Sequence, residues 1–237
     1  MAKKTRKTPA AKAPAPLRKR LRRLALRAVA GLGVLVLALV VLFAVINPRM
    51  TFYMWQESRY LGEIDHEWID FKDIAPVMAR SVVAAEDANF CHHWGFDMDA
   101  IRTALDQGSR RGASTLSQQT VKNVYLWHGR SWPRKAAEAL ITPVVETIWS
   151  KRRILEVYLN IAEFDEGVFG VGAAARHYFG TTPDALSARQ AALLAAVLPN
   201  PKGRSAARPD DFTARRATSI IDGAATILAD GRAACFG

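Results

Sequence analysis

Two acidic positions, about fifty residues apart, carry the side chains best suited to chemistry in this chain. Glu86 comes first, with Asp87 beside it, and Glu138 follows. A segment between them, residues 112–130, is polar and then cationic. In a transfer reaction one carboxylate can act as a general base, while nearby cations stabilise the charge that develops on a phosphate leaving group. The combination therefore suits glycosyl transfer from a phosphate-linked donor.

The polar segment offers groups that could hold a sugar diphosphate. Its candidate binding residues are Ser114, Gln118, Gln119, Lys122 and Arg130. Hydroxyl and amide groups can bond to sugar hydroxyls, the two cations can grip a diphosphate, and Gly112 would permit close approach of the backbone. An ordinary helix start at Ser114 or Thr115, followed by solvated charges, explains the same residues. The residues alone leave both interpretations open.

Glu138 shares a helix face with two cations, because Arg134 and Lys135 stand four and three residues before it. Glu156 has the same arrangement with its own preceding arginines. Such pairs on a helix surface are worth only about 0.3–0.5 kcal/mol each. The spacing does not distinguish a surface ion pair from a catalytic group at either position. A solvated acidic pair at a helix end is an equally ordinary explanation of Glu86.

Helices must position these groups, because alternating strand patterns of any length are absent from the sequence. Pro76 predicts a helix start before Glu86. Pro133 predicts another before Glu138, and Pro143 is expected to kink or end that helix. Further helices are predicted over 151–160, 188–198 (with Ser187 and Gln190 as a capping box) and 212–228. With at most a short hairpin beside them, the predicted fold class is mainly α.

The N-terminal part of the chain changes abruptly from basic to apolar. Residues 1–27 contain eleven Lys and Arg and no acid, whereas residues 28–46 contain no charge. The net charge of +11 over all 237 residues lies in this tail, so it does not indicate a nucleic-acid-binding domain. A helix over 28–46 spans about 28 Å, close to the hydrocarbon thickness of a bilayer. The sequence therefore predicts a transmembrane helix.

This helix sets the expected domain boundaries and orientation. The positive-inside rule places the tail, 1–27, in the cytoplasm and residues 47–237 outside it. We expect a membrane-proximal aromatic segment over 47–72 and the catalytic domain over 73–237. A cleaved signal peptide fits less well, because the apolar run is long and no small-x-small cleavage site is evident before Asn47.

Cys91 and Cys235 both fall on the side predicted to be outside the cytoplasm, where a disulfide can persist. Two buried thiols explain them equally well. Metal binding by Cys91, His92 and His93 is disfavoured, because adjacent positions crowd the three ligands and no second cluster of such residues completes a site.

Five motifs follow one another in order from about residue 70 to residue 201. They are Glu86-Asp87-x-x-Phe90-x-x-His93-x-Gly95, then Gly112-x-Ser114-Thr115-x-x-Gln118-Gln119 with Lys122-Asn123, then Arg134-Lys135-x-x-Glu138, then Ile154-Leu155-Glu156-x-Tyr158-Leu159-Asn160, and last Gly172-Ala173-Ala174-Ala175-x-x-Tyr178-Phe179-Gly180, with the stretch 194–201 after them. Together they resemble the motifs of glycosyltransferase family 51, the peptidoglycan glycosyltransferases, and especially those of its monofunctional members. One departure is Thr181, where the family often has lysine.

The resemblance implies an α-helical, lysozyme-like domain that polymerises lipid II into glycan strands. Glu86 would be the general base that deprotonates the GlcNAc 4-hydroxyl of an incoming lipid II. Glu138 would help to orient the diphosphate of the donor, and the displacement would invert the α-linked donor to a β-1,4 linkage. The substrate-binding residues implied are Asp87, Ser114, Gln118, Gln119, Lys122, Arg130, Arg134 and Lys135.

Cofactors, partners and location are implied by the same resemblance. The sequence requires no cofactor, and participation of a divalent cation such as Mg²⁺ stays open. The expected partners are lipid II, the growing glycan strand and membrane lipid, without nucleic acid. We expect no transpeptidase module in this chain, so cross-linking would fall to transpeptidases and other cell-wall machinery. The expected location is the bacterial cytoplasmic (inner) membrane, with a single span, a cytoplasmic N-terminus and a periplasmic catalytic domain.

Two other functions compete with this interpretation. A lytic enzyme with the same lysozyme-like fold would cut glycan and would need no grip on a diphosphate, so Lys122 and Arg130 argue against it. A membrane-tethered scaffold without activity would not need both Glu86 and Glu138.

Overall fold

The computed structural model describes residues 17–106, 114–129 and 131–237. Gly112 and Arg130, which the sequence analysis singled out, lie outside the described residues. Within these ranges the chain is mainly α-helical, which confirms the predicted fold class. The described residues divide into two compact units, with the boundary between Leu39 and Val40.

Helices dominate the described residues, and the strands are short. The helices are α1 (Leu17–Phe43), α2 (Phe52–Leu61), α3 (Pro76–Glu86), α4 (Met98–Asp106), α5 (Leu116–Tyr125), α6 (Trp132–Ile148), α7 (Lys151–Ile161), α8 (Gly170–Phe179), α9 (Ala188–Val197) and α10 (Asp211–Ala229). The strands are β1 (Asp65–His66), β2 (Glu163–Asp165) and β3 (Val168–Phe169).

The first unit contains most of helix α1. The helix begins at Leu17 rather than at residue 28, because the Leu, Arg and Lys residues of this stretch are strong helix formers. It ends at Phe43 rather than at residue 46, ahead of Pro48, since a proline disfavours helical geometry in the residue before it. The helix is long and apolar enough to cross a membrane, and it fits a single-pass membrane anchor.

Helices α7 and α9 form the centre of the second unit. Helix α9 is buried over Ala191–Val197 and packs against α3 and α10. Helix α7 buries every residue from Ile154 to Ile161 except Glu156, and it packs against α5 and α8. Helix α5 also packs against α6. These contacts bring the end of α3 together with α5, α7 and α10.

The predicted starts of three helices, α3, α6 and α9, are confirmed. Pro76 and Pro133 stand in the first turns of α3 and α6, and Ser187 with Gln190 forms the capping box of α9. Pro143 does not end α6, which runs on beyond it. The packing of α6 on α5 offsets the backbone hydrogen bond that Pro143 cannot donate.

A small sheet with the strand order β1-β3-β2 follows α7. The antiparallel pair β2–β3 is the short hairpin that was expected, whereas the parallel pairing of β1 with β3 was not predicted, because a two-residue strand shows no alternation. Asn160 fastens the nearby chain, since its Oδ1 accepts from Ile69 N over 2.7 Å. Gly170 has a positive φ of 83°, and a Cβ there would lie 2.7 Å from Asn160 O.

Cys91 and Cys235 form a disulfide. The sequence left open a disulfide or two buried thiols, and the structure has the disulfide. The bond also removes Cys91 from any metal-ligand set.

Candidate active site

Glu86 lies at the end of α3, where this helix meets α5 and α10. Gln119 Nε2 donates a hydrogen bond to Glu86 Oε2 over 3.0 Å. Glu86 Oε1 lies 3.6 Å from a guanidinium nitrogen of Arg216 and accepts no hydrogen bond within the described ranges. One carboxylate oxygen is therefore held by an amide, and the other is buried beside the Arg216 guanidinium.

The surroundings of Glu86 favour its protonated form. Burial raises the pKa of Glu86 above its ordinary value, and the neighbouring Asp87 adds to this. The Gln119 hydrogen bond and the charges of Arg216 and Lys122 act in the opposite direction. A carboxylate with a raised pKa is a stronger proton acceptor once ionised, which suits a general base.

Both carboxylate oxygens of Asp87 accept hydrogen bonds from other groups of the protein. Its Oδ2 accepts from Leu116 N over 2.9 Å at the start of α5, and its Oδ1 accepts from His93 Nε2 over 2.7 Å. The negative charge there also complements the positive end of the α5 dipole. Gly95 N in turn donates to His93 Nδ1 over 3.2 Å. Asp87 thus joins the end of α3 to the start of α5, and both its oxygens are occupied.

Gln118 and Gln119, both predicted to bind substrate, have different hydrogen-bond partners at the start of α5. Thr115 is the N-cap, and its Oγ1 accepts from Gln118 N over 3.2 Å. Gln118 Oε1 accepts from Thr115 N over 3.1 Å, which completes a capping box. The structure therefore brings Gln119 to Glu86 but places the buried Gln118 side chain in the helix cap. The helix-start interpretation is right for Thr115, one residue after Ser114.

Glu138 is buried with two cations. Its side chain is 3% exposed, Arg134 donates to its Oε2 over 2.8 Å, and Lys135 Nζ donates to its Oε1. Lys135 Nζ also donates to Ser114 Oγ over 3.2 Å. The Arg134 side chain is 11% exposed and that of Lys135 is 41% exposed, so this set is a partly buried ion cluster rather than a surface ladder. It lies beside Gln119, whose Nε2 also reaches Ser114 O at 3.4 Å.

Glu156, which has the same sequence spacing as Glu138, points elsewhere. Its Oε2 accepts from Arg153 over 2.7 Å, and its Oε1 accepts from Phe71 N over 3.1 Å. Arg153 also donates to Phe43 O and Asn47 Oδ1. The structure thus separates two carboxylates that the sequence could not distinguish. Glu138 faces the site, and Glu156 fastens the segment that follows α1.

Two cavities meet at the Glu86–Gln119 hydrogen bond. The first, of about 240 Å³, is lined by Glu86, Asn89, Asp97 and Ser114 among others, and no lysine or arginine of the described ranges lines it. The second, of about 230 Å³, is lined by Tyr53, Gln119, Lys122, Asn123, His128, Tyr158, Glu163 and neighbouring loop residues. One side of the hydrogen bond is therefore uncharged or acidic, and the other carries a cation.

The basic groups that line the second cavity have lowered pKa values. Burial lowers the pKa of Lys122 below its ordinary value, and nearby Arg134 adds to this, while Glu138 opposes it. Burial also lowers the pKa of His128 to about 4, so this imidazole is neutral at physiological pH. Lys122 would regain a favourable environment if an anion entered the cavity.

Two residues of the site were given no role by the sequence analysis. Tyr158 OH donates to Gln119 Oε1 over 3.2 Å, and its place in the fourth motif was the available signal. Arg216 reaches Glu86 from α10, far along the chain, and no spacing could have indicated it. Among the residues that the structure describes, no cluster of three His, Cys, Asp or Glu side chains could hold a metal ion.

A helical domain that presents a buried carboxylate between an acidic cavity and one that contains a lysine is typical of an enzyme that transfers glycosyl groups. The sequence comparisons agree. The family model described as Transglycosylase matches residues 56–225, and the chain belongs to this family. The family resemblance predicted from the motifs is thereby confirmed.

Relatives resemble the chain over most of its length. One from Jannaschia sp. (strain CCS1), named biosynthetic peptidoglycan transglycosylase, is 62% identical over 216 residues, which cover 91% of this chain and 90% of the relative. Relatives with the same name from Cronobacter sakazakii and Stutzerimonas stutzeri are 48% and 50% identical, covering 85% and 77% of this chain and 88% and 79% of their own lengths.

Proposed function

We propose that this transglycosylase polymerises lipid II into peptidoglycan glycan strands in cell wall biogenesis. Inverting transfer to the GlcNAc 4-hydroxyl would release polyprenyl diphosphate. The observation that carries the proposal is the position of Glu86, a buried carboxylate that lines the first cavity and accepts a hydrogen bond from Gln119, which lines the second. The names of the relatives support peptidoglycan as the product.

Glu86 acts as the general base. The acceptor sugar enters the first cavity, where Asn89 and Ser114 offer polar groups to its hydroxyls. Its 4-hydroxyl donates to the Glu86 carboxylate and passes its proton there as the hydroxyl oxygen attacks the donor carbon. Gln119 keeps the carboxylate in place through the bond to Oε2. The acceptor hydroxyl is uncharged, so its binding adds no new ion pair to the one that Glu86 makes with Arg216.

The cations stabilise the leaving diphosphate. Lys122 lines the second cavity, and Lys135 and Arg134 are held by Glu138 beside it. Negative charge grows on the diphosphate as the glycosidic bond breaks, and fixed cations lower the energy of that state. Glu138 positions these cations rather than reacting itself. Arg130 is proposed to add a further cation, in keeping with the family resemblance.

No protein-bound cofactor is part of this proposal. Glu86 is bonded to Gln119, and Glu138 is bonded to Arg134 and Lys135. A Mg²⁺ ion would therefore bind to the diphosphate oxygens and enter with the substrate.

We place the catalytic unit outside the cytoplasm, held by α1 at the membrane that carries the lipid-linked substrates. The Cys91–Cys235 disulfide supports this orientation, because disulfides persist in oxidising compartments. Basic residues at the start of α1 would contact anionic lipid, with about 1 kcal/mol per residue near the surface. Cross-linking of the product is left to transpeptidases and other cell-wall machinery.

Polymerisation of lipid II by the purified protein tests the function. We expect polymer from the wild type, with and without Mg²⁺, and none from Glu86→Gln, which should remain folded. Incubation with purified sacculi distinguishes a lytic enzyme, since release of muropeptides without polymer would overturn the proposal. Undiminished polymerisation by Glu86→Gln would remove Glu86 from the base role.

A further inference from the structure

The segment that follows α10 returns to the loop that follows Glu86. Residues 230–237, here called the C-terminal arm, are joined to the loop of residues 87–95 by the Cys91–Cys235 disulfide. Next to the disulfide, Phe236 is buried at 2% exposure, and its ring centroid lies 6.3 Å from that of Phe90. The arm is therefore both bonded to the loop and packed against it.

Two arginines from the C-terminal region bind the backbone on either side of Glu86. Arg216, in α10, donates to Ala85 O over 3.1 Å. Arg232, in the C-terminal arm, donates to Ala88 O over 3.1 Å. Carbonyl groups at the end of a helix lack donors from the helix itself, so Arg216 satisfies an acceptor that the end of α3 leaves open, and Arg232 binds a carbonyl of the loop that follows. The backbone that carries Glu86 is thus held from the C-terminal side of the chain.

We propose that the C-terminal arm is a positioning element for Glu86, held by the Cys91–Cys235 disulfide, so that opening the disulfide slows turnover in the folded enzyme. The inference rests on the proposed role of Glu86 as the base. Without the covalent tie, the arm is held to the loop by the packing of Phe236 on Phe90 and by the Arg232–Ala88 hydrogen bond. The loop after Glu86 then loses a support, and a displacement of about 1 Å at a catalytic group can cost up to about 10²-fold in rate.

A dithiol reagent opens the disulfide by thiol–disulfide exchange. The dithiol gives up two electrons and two protons, the bond between the two sulfur atoms breaks, and Cys91 and Cys235 become thiols. The dithiol closes to its own disulfide. Both cysteines are half-buried, so part of each is open to a small reagent.

The experiment compares the full-length protein in detergent, untreated, treated with dithiothreitol, and as the double variant Cys91→Ser/Cys235→Ser. We expect kcat for lipid II polymerisation to fall about tenfold on opening the disulfide, with KM within about twofold. Far-ultraviolet circular dichroism should stay unchanged. A kcat within about twofold of the wild type in folded, fully reduced protein would overturn the proposal.

Hydrogen exchange supplies a readout independent of activity. Amides of residues 87–95 should exchange faster after reduction, while those of α8, which is remote from the arm in the chain, should not change. Equal protection of residues 87–95 before and after reduction would also overturn the proposal.

A second variant keeps the disulfide in case the double variant does not fold. Arg232→Gln removes the bond to Ala88 O, and Arg232→Lys keeps a charged donor; the exposed Arg215→Gln is the matched control. We expect kcat about threefold lower for Arg232→Gln, partial recovery with lysine, and no change in the control. Wild-type kcat in Arg232→Gln would contradict the role of the arm.

Glu86→Gln with its disulfide intact separates the two proposals. If Glu86→Gln is inactive and the reduced wild type is fully active, only the arm proposal fails. If Glu86→Gln is active, the base assignment fails, and hydrogen exchange of residues 87–95 still decides whether the arm holds the loop.

Discussion

The hydroxyl of Tyr158 donates a hydrogen bond to Gln119 Oε1 over 3.2 Å, which turns the amide nitrogen of Gln119 towards Glu86. A side-chain amide can present either atom, so the donor from Tyr158 decides which one meets the carboxylate. Tyr158 is almost fully buried in α7, the central helix of the unit. The core of the fold thus orients the group that holds the base.

Replacing Tyr158 by phenylalanine tests this orientation. We expect Tyr158→Phe to lower kcat about three- to tenfold and the free energy of unfolding by about 1 kcal/mol, because Gln119 loses its fixed direction. Tyr125→Phe is the matched control, since the buried Tyr125 hydroxyl has no partner in the described part of the chain. Equal kinetics for the two variants would show that the Tyr158 hydroxyl does not act through Gln119.

Arg216 should set the acid limb of the pH–rate profile. Its charge lowers the pKa of Glu86, as does that of Lys122, whereas burial and Asp87 raise it, and Tyr158 stands close by. In Arg216→Met the pKa of Glu86 rises, so a larger fraction of the base is protonated at low pH. The acid limb of kcat/KM should therefore move to higher pH, with recovery at alkaline pH.

The exposed Arg215 provides the control for that shift. Arg215→Met changes the net charge equally but leaves the surroundings of Glu86 intact, so its profile should match the wild type. An unshifted acid limb in Arg216→Met would mean that the guanidinium does not influence the base.

Glu86→Gln should stabilise the fold at neutral pH while it removes activity. Because the folded-state pKa of Glu86 is raised, the folded protein holds its proton more tightly than the unfolded chain does. Stability from Glu86 is thus present at low pH and lost as the pH rises through the folded pKa. The melting temperature of Glu86→Gln should exceed that of the wild type at about pH 7.5, and the difference should vanish near pH 4. A lower melting temperature at pH 7.5 would contradict this.

Glu138→Gln should be costly to stability as well as to rate. Removing the buried partner of this ion cluster leaves the charge of Arg134 poorly compensated, at about 3–5 kcal/mol. Asp99→Asn breaks the exposed pair with Arg102 and should cost at most about 1 kcal/mol. Chemical denaturation of both variants measures the difference. Similar losses would mean that Glu138 is solvated in solution.

Gly170→Ala should be more damaging than Gly180→Ala. Both glycines have a positive φ, but a Cβ at Gly170 would meet Asn160 O at 2.7 Å, whereas one at Gly180 meets nothing within 4 Å. Backbone strain alone costs about 1–2 kcal/mol, and Gly170→Ala adds the clash. Thermal unfolding of the pair isolates the contribution of the close approach.

The sequence predicted about half of the helices, but not α2, α4 or α8, and it was insufficient for the partners of the side chains. Pro76 and Pro133 begin helices by a local preference, so their consequences could be read along the chain. Gln118 and Gln119 are adjacent and chemically identical, and only the choice of Thr115 as the cap sends one to the helix start and the other to Glu86. Tertiary contacts, such as the hydrogen bond from Thr115 Oγ1 to Gly95 O, place the cap at Thr115.

Contacts between residues far apart in the chain could not be predicted either, because they also depend on tertiary packing. Glu138 and Glu156 have equal spacing to their cations, and they differ only in which segment packs over each. Arg216 reaches Glu86 because α10 packs against α3, a contact that leaves no periodic signal. Helix α1 exceeded its apolar segment because basic residues extend a helix as well as apolar ones do.

The junction of the two cavities also sets the terms for inhibitor design. Glu86 lines one cavity and Gln119 lines the other, so a compound that spans the bond between them must change character along its length. One end needs a hydrogen-bond donor for the Glu86 carboxylate, and the other needs an anion for Lys122. A compound that is anionic at both ends would lose affinity beside the carboxylates of the first cavity, which narrows the chemotypes worth screening.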